Sequence, residues 1–270
     1  MNETLKRSIS GAVYVLLLIT SIRFSTVSFF ILFGLFLLFA VFEFCELVQI
    51  KNVLPVIIAE SLFGLFYIVP FNRTYDLILL VATLFVSIKL ILFLFSKRES
   101  EVDTLSKYVY LLGYIIFPFI IITKLPFGIQ GYNPKIIISI FLLIWSNDTF
   151  AYIVGKSYGR NKLFERISPK KTIEGFIGGV VFTVMASLLI SKYYIEGATN
   201  IWIGIAFIVG IFGTIGDLIE SKFKRMANVK DSGKIMPGHG GVLDRLDSVI
   251  FVAPFVFLFY QILYYVSYGK

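Results

Sequence analysis

With one cysteine, Cys45, the chain cannot close an intramolecular disulfide. Cysteine usage therefore leaves the redox compartment unread, and Cys45 reads as a small buried hydrophobe. There is no tandem repeat, no low-complexity tract and no polar stretch long enough to form an independent soluble domain. Charge is also scarce. Hydrophobic residues make up 57% of the chain and its mean hydropathy is +0.86, whereas a soluble globular domain is roughly 45–50% apolar. That excess excludes a soluble fold and makes the bilayer the solvent. The 29 Phe and 15 Tyr fit it, Phe as lipid-facing filler and Tyr where hydrocarbon meets water.

Apolar runs approaching the ~20 residues needed to cross hydrocarbon lie near 9–22, 27–44, 53–70, 76–95, 108–123, 135–154, 173–191, 201–220 and 248–266. The expected fold is an all-α integral membrane protein, a polytopic bundle of nine transmembrane helices. Placing the amino terminus in the cytoplasm puts Lys6, Arg7, Lys51, Lys97, Arg98 and Lys107 inside, with the 12 basic residues of segments 156–171 and 222–245. That makes 18 inside against six outside (Arg23, Arg73, Lys124, Lys135, Lys192 and Lys270), with Lys89 within the fourth run. The net charge of +8 is thus a positive-inside signal and not a nucleic-acid surface. Nine spans leave the carboxyl terminus outside. No A-x-A-like cleavage site follows the first run, which is expected to be a retained helix.

Residues 1–123 carry few polar groups within their spans and read as a scaffold half; 124–270 reads as the catalytic half of the same membrane domain. Glu43, Glu46, Glu60 and Lys89 are the exceptions in the first half. A position at a helix end accounts for Glu43 and Glu46, and a snorkelling stem for Lys89. In the second half polar residues cluster in segments that all fall on the predicted cytoplasmic side.

In the run 216–225, Asp217, Glu220, Ser221 and Lys224 stand at i, i+3, i+4 and i+7, one face of a helix. Hard oxygen ligands of this kind suit Mg²⁺, which takes one or two carboxylates and completes its shell with water and phosphate oxygens. The loop that follows holds Lys230, Asp231 and four glycines in nine positions: Gly233, Gly238, Gly240 and Gly241. Glycine lets backbone N–H groups turn toward an anion. Asp244, Asp247 and Ser248 then share a second helical face, with Arg245 between them. The single histidine, His239, reads as a proton donor, a phosphate ligand or an ordinary hydrogen-bonding residue.

Asp148 lies inside the end of the sixth span, where a carboxylate is costly unless paired or metal-bound. Ser168 and Pro169 read as the N-cap and first position of a helix whose first turns, with Lys170, Lys171 and Thr172, would offer an anion free N–H groups and positive charge. Gly175 and Gly179 form a G-x-x-x-G expected to pack helices. These groups describe a metal-and-phosphate site at one face of a bundle, with neither nucleotide nor lipid specified.

The run Ser221-Lys222-Phe223-Lys224-Arg225, then 230–233, then Pro237-Gly238-His239-Gly240-Gly241-Val242-Leu243-Asp244-Arg245-Leu246-Asp247-Ser248 resembles the signature of phosphatidate cytidylyltransferases. Residues 145–152, Gly155, Gly159-Arg160 and Ser168 to Gly175 resemble that family's preceding motifs, except that Ile173 stands where an aromatic is common. The resemblance covers about 145–250. It implies transfer of the cytidylyl group of CTP to phosphatidic acid, with release of pyrophosphate and formation of CDP-diacylglycerol. On that basis Asp217 and Asp244 are expected to hold Mg²⁺, one ion or two, with Asp148, Asp231 and Asp247 as further or supporting ligands. Lys222, Lys224, Arg225, Lys230 and Arg245 are expected to neutralise triphosphate or lipid phosphate. The glycine-lined helices together with the resemblance point to a homodimer.

Three rivals carry different signatures. A CTP-using lipid kinase would release CDP. A CDP-alcohol phosphotransferase would need a D-G-x₂-A-R run, which is absent. A transporter would need interrupted helices near the midplane and symmetry between halves, but here the charges gather in one half.

Overall fold

The computed structural model describes residues 3–68, 72–96, 102–128 and 131–268. Of the charges weighed above, Lys97, Arg98 and Lys270 lie outside the described residues, as do the last two positions of the third apolar run. The chain is a helical bundle. Its helices are α1 (Glu3–Phe24), α2 (Thr26–Leu47), α3 (Leu54–Ile68), α4 (Arg73–Phe95), α5 (Thr104–Tyr110), α6 (Phe117–Lys124), α7 (Pro134–Tyr158), α8 (Ile173–Ile190), α9 (Thr199–Met226) and α10 (Leu243–Tyr268). A wide π turn, Leu111–Ile116, joins α5 and α6 into one span, and a second, Ser191–Ile195, extends α8.

Eight of these spans are long and apolar enough to cross a membrane, as the hydropathy runs require. The remaining run, the third, became α3, whose 15 described residues cover only about 22 Å at 1.5 Å each. It still leads from one face to the other. The end of α2 and the end of α4 both lie at the face that carries the polar clusters, through Glu43 and Ser96. The start of α4 lies at the opposite face, where Asp76 pairs with Lys124 at the end of α6 at 2.7 Å.

Local chemistry explains several boundaries. Ser25 caps α2 by accepting from the Ser28 N–H, while the Ser28 hydroxyl accepts from the Ser25 N–H. Asn72 caps α4 and Asn133 caps α7. The π turn seats Gly113 against Val86 of α4, where a Cβ would collide with the valine.

The helix expected to begin at Ser168 does not begin there. Ser168–Thr172 is an extended strand, β4, paired antiparallel with β3 (Lys162–Phe164) in a short hairpin between α7 and α8. Two further short strands, β1 (Phe127–Gly128) and β2 (Gly131–Tyr132), pair between α6 and α7. Thr172 is the N-cap of α8, its hydroxyl accepting from the Gly175 N–H at 3.1 Å. The residue before a proline is biased to extended backbone, which serves a strand as well as a cap. The pairing of Lys162 with Thr172 and the bond from Lys162 Nζ to the Pro169 carbonyl decide for the strand.

Helices α7 and α8 pack through glycine. A Cβ on Gly175 would press on the Ala151 carbonyl, and one on Gly179 on Asn147 and Ala151, so the G-x-x-x-G packs helices as expected. Under the polar face lies an aromatic cluster centred on Phe223 of α9. Its ring is 5.3 Å from that of Phe44 on α2, 5.4 Å from Phe93 on α4 and 6.0 Å from Tyr114. Cys45 is buried.

Candidate active site

The end of α9 carries the first group. Glu220 is buried, 1% exposed, and one turn from Asp217. Asp247, near the start of α10, approaches from the neighbouring helix, and one carboxylate oxygen from each of Asp217, Glu220 and Asp247 lies within 4.8 Å of the others. The helical spacing at 217, 220, 221 and 224 forms the expected single face. The Ser221 hydroxyl donates to Asp217 at 3.2 Å, and Lys224 pairs with Glu220 one turn back at 2.5 Å.

Two ammonium groups hold this cluster together. Lys171, on β4, pairs with Asp217 at 2.6 Å, and Lys224 pairs with Asp244 at 2.6 Å as well as with Glu220. Four carboxylates thus face two paired lysines. Like charges this close repel strongly in a partly dry site, and the uncompensated charge of about two fits one divalent cation. A second observation agrees. Glu220 Oε1 is buried without a hydrogen-bond partner among the described residues, an arrangement that is costly unless something else binds it.

Asp244 stands beside the triad with its oxygens largely engaged. Oδ1 accepts from Lys224, and Oδ2 accepts from the Ser232 N–H at 2.8 Å, the Ser232 hydroxyl at 2.9 Å and the Gly241 N–H at 2.7 Å. Gly240 has φ +86°, and a side chain there would collide with this carboxylate, so only glycine suits both the turn and the contact.

The loop rests on a residue that sequence reasoning set aside. Glu43 of α2, 4% exposed, accepts from the Val242 N–H at 2.9 Å, the Leu243 N–H at 2.8 Å and the Ser232 hydroxyl at 2.9 Å. It supplies the N-cap that α10 lacks locally, and its charge complements the positive end of that helix. The Ser232 hydroxyl is placed between Glu43 and Asp244, and its one proton serves either. Nothing in the spacing of the chain links positions 43 and 243. For Glu220 a signal existed, its place on the same helical face as Asp217.

The other expected site residues fall in three places. Asp148, Arg245, His239 and Asp247 line a cavity of about 270 Å³ with Tyr14 and Trp145. His239 accepts from or donates to the Ser10 hydroxyl of α1 at 2.8 Å. Burial, then the charges of Arg245 and Arg7, hold its pKa below the usual imidazole value. Gly238 sits against Arg7. Along the rim, Lys170, Lys230 and Asp231 are exposed and Ser168 half-buried, while Arg225 donates to the Val229 carbonyl at 2.9 Å.

Lys222 points elsewhere. It donates to the carbonyls of Phe93 and Ser96 at the end of α4 and lies 4.0 Å above the Phe93 ring. Arg166 donates to the same Ser96 carbonyl at 2.7 Å. Cations at a helix C-terminus satisfy its last carbonyls, so this lysine fastens α4 to α9.

The family model described as "Cytidylyltransferase family" matches residues 5–263. The chain belongs to that family. Among curated relatives of the chain, the phosphatidate cytidylyltransferase of Staphylococcus aureus (strain COL) is 52% identical over 116 residues, 42% of this chain and 44% of the relative. That of Staphylococcus haemolyticus (strain JCSC1435) is 50% identical over 116 residues with the same coverage. That of Staphylococcus epidermidis (strain ATCC 12228 / FDA PCI 1200) is 47% identical over 122 residues, 44% of this chain and 46% of the relative. The aligned part therefore spans less than half the length of these curated relatives.

Proposed function

We propose that the protein transfers the cytidylyl group of CTP to the phosphate of phosphatidic acid, forming CDP-diacylglycerol and pyrophosphate for phospholipid synthesis. The observation that carries this reading is the Asp217, Glu220 and Asp247 triad at one face of a membrane bundle, in a chain of the cytidylyltransferase family. The names of the staphylococcal relatives supply the lipid acceptor. The site face is the cytoplasmic one of a bacterial inner membrane, supported by the 18 to six distribution of basic residues. A homodimer, expected from the family resemblance, belongs to the same proposal, and light scattering of the detergent-solubilised protein tests it.

Asp217, Glu220 and Asp247 would hold Mg²⁺, with Asp148 close by on the cavity wall. Bound there, the ion would neutralise charge on the triphosphate oxygens. Asp244 and Lys224 position the triad through their ion pair and the glycine loop. Lys171 and Arg245 flank the carboxylates and are placed to neutralise triphosphate or lipid phosphate, with Lys170 and Lys230 at the rim.

An oxygen of the lipid phosphate attacks the α-phosphorus of CTP, the bond from that phosphorus to the bridging oxygen breaks, and pyrophosphate leaves. The lipid phosphate is already ionised at neutral pH, so no general base is required. Catalysis rests on positioning and charge neutralisation, as in other phosphorus transfers.

The test is to incubate purified protein with phosphatidic acid and α-labelled CTP, with Mg²⁺ or with chelator. Label in a lipid product with equimolar pyrophosphate, only with Mg²⁺, is the expected result. Labelled CDP without labelled lipid would indicate a lipid kinase, and no turnover with any lipid phosphate would remove the enzymatic reading.

A further inference from the structure

A cavity of about 550 Å³ lies at the opposite face of the bundle, within the roughly 300–1,000 Å³ usual for ligand sites. It is built from ends of helices. Arg73 begins α4, Asn133 caps α7, Trp202 lies in the first turn of α9, and Lys124 ends α6. The N-termini of α4 and α7 edge the cavity, their first turns capped by Asn72 and Asn133, and the positive ends of their dipoles lie beside it.

The charges are arranged asymmetrically. Lys124 and Asp76 pair at 2.7 Å with side chains only 7% and 11% exposed, and so balance each other. Arg73 has no carboxylate within ion-pair distance among the described residues. Its guanidinium instead lies over the Tyr264 ring, 4.9 Å from the ring centre. One positive charge is left uncompensated at the mouth. Behind it the wall is apolar, with Ile136, Trp202 and Phe257.

A net charge of +1 held by a planar guanidinium, above an apolar wall at the end of membrane spans, suits one kind of ligand: a singly charged phosphate ester that carries hydrocarbon. We propose that this cavity binds the phosphodiester headgroup of an anionic phospholipid from the leaflet opposite the candidate active site. Arg73 engages the phosphate, and an acyl chain runs along the wall beside Trp202. This holds whether or not the cytidylyl-transfer reading does.

Trp202 supplies the readout, because the chain has two tryptophans and Trp145→Phe leaves Trp202 alone. The protein is reconstituted in lipid nanodiscs containing phosphatidylglycerol or phosphatidylcholine with brominated acyl chains, and quenching of Trp202 fluorescence is followed against lipid fraction. Phosphatidylglycerol should quench at roughly fivefold lower lipid fraction, the preference expected of one cationic side chain near the surface. In Arg73→Gln the two lipids should become equal, and millimolar inorganic phosphate should leave quenching unchanged. Equal quenching by the two lipids in the Arg73 protein would overturn the proposal, and that comparison stands even if Arg73→Gln fails to fold. A preference that survives in Arg73→Gln, or phosphatidylglycerol quenching abolished by inorganic phosphate, would overturn it too.

Discussion

The carboxylate of Glu43 accepts the backbone N–H of Leu243 at 2.8 Å across 200 positions of sequence. Through that bond and its neighbours, the second helix of the bundle caps the helix that carries Asp244 and Asp247. A charge-assisted hydrogen bond contributes more than a neutral one, and a buried N–H left without its acceptor is costly. Glu43→Ala is therefore expected to destabilise the protein by about 2–3 kcal/mol. Glu43→Gln, which keeps one acceptor oxygen, should cost less. Thermal unfolding of the three proteins in one detergent checks the order, and equal midpoints for Glu43→Ala and wild type would refute it.

The triad makes a separable prediction about metal. Mg²⁺ should raise the unfolding midpoint of the wild-type protein, since a ligand that binds only the folded state stabilises it. Asp217→Asn and Asp247→Asn should each abolish that rise and reduce cytidylyl transfer by on the order of a hundredfold or more. Asp231→Asn, on the exposed rim, should retain the Mg²⁺ response. A persisting Mg²⁺ shift in both triad variants would move the metal elsewhere.

Lys222 distinguishes a fastening role from a ligand role. Its ammonium is engaged by the Phe93 and Ser96 carbonyls, so Lys222→Met should lower the unfolding midpoint, at a cost of about 1–3 kcal/mol for the charge-assisted hydrogen bonds lost. The KM for CTP should stay within about twofold, because no uniform binding contact is removed. A large rise in KM with unchanged stability would return Lys222 to the phosphate site.

His239 gives a pH dependence whose sign can be worked out. Its folded-state pKa lies below the usual value because of burial and the nearby Arg245 and Arg7. Between the folded and unfolded pKa values the unfolded chain binds more protons, so stability falls as pH drops below about 6.5 and levels off below the folded pKa. Asp148, Asp244 and Asp247 line the same cavity, and their own titration is removed by comparing variants at each pH. The midpoint of His239→Gln minus that of wild type should become more positive from pH 7 to pH 5. A difference that does not change with pH would show that protonating His239 leaves folding unaffected.

Much of this protein was legible in the sequence, because the bilayer enforces a simple code. Every backbone polar group in hydrocarbon must be satisfied within its own helix, so apolar runs translate directly into α2, α4 and α7 to α10. The face shared by Asp217, Glu220, Ser221 and Lys224 follows from helical periodicity alone. So does the packing of Gly175 and Gly179 against α7, since small residues four apart let helices approach closely.

Tertiary structure decided what periodicity does not encode. The triad needed Asp247 from a second helix, and the Glu43 cap needed a carboxylate from a third, positions linked by packing and not by spacing. Lys222 belongs to the motif that resembles the family signature, yet its direction around α9 turns it to the end of α4. Ser168–Thr172 became a strand because a nearby segment, Lys162–Phe164, was free to pair with it. Residue type and spacing determined which groups could bind metal and phosphate; the crossing of helices determined which of them meet.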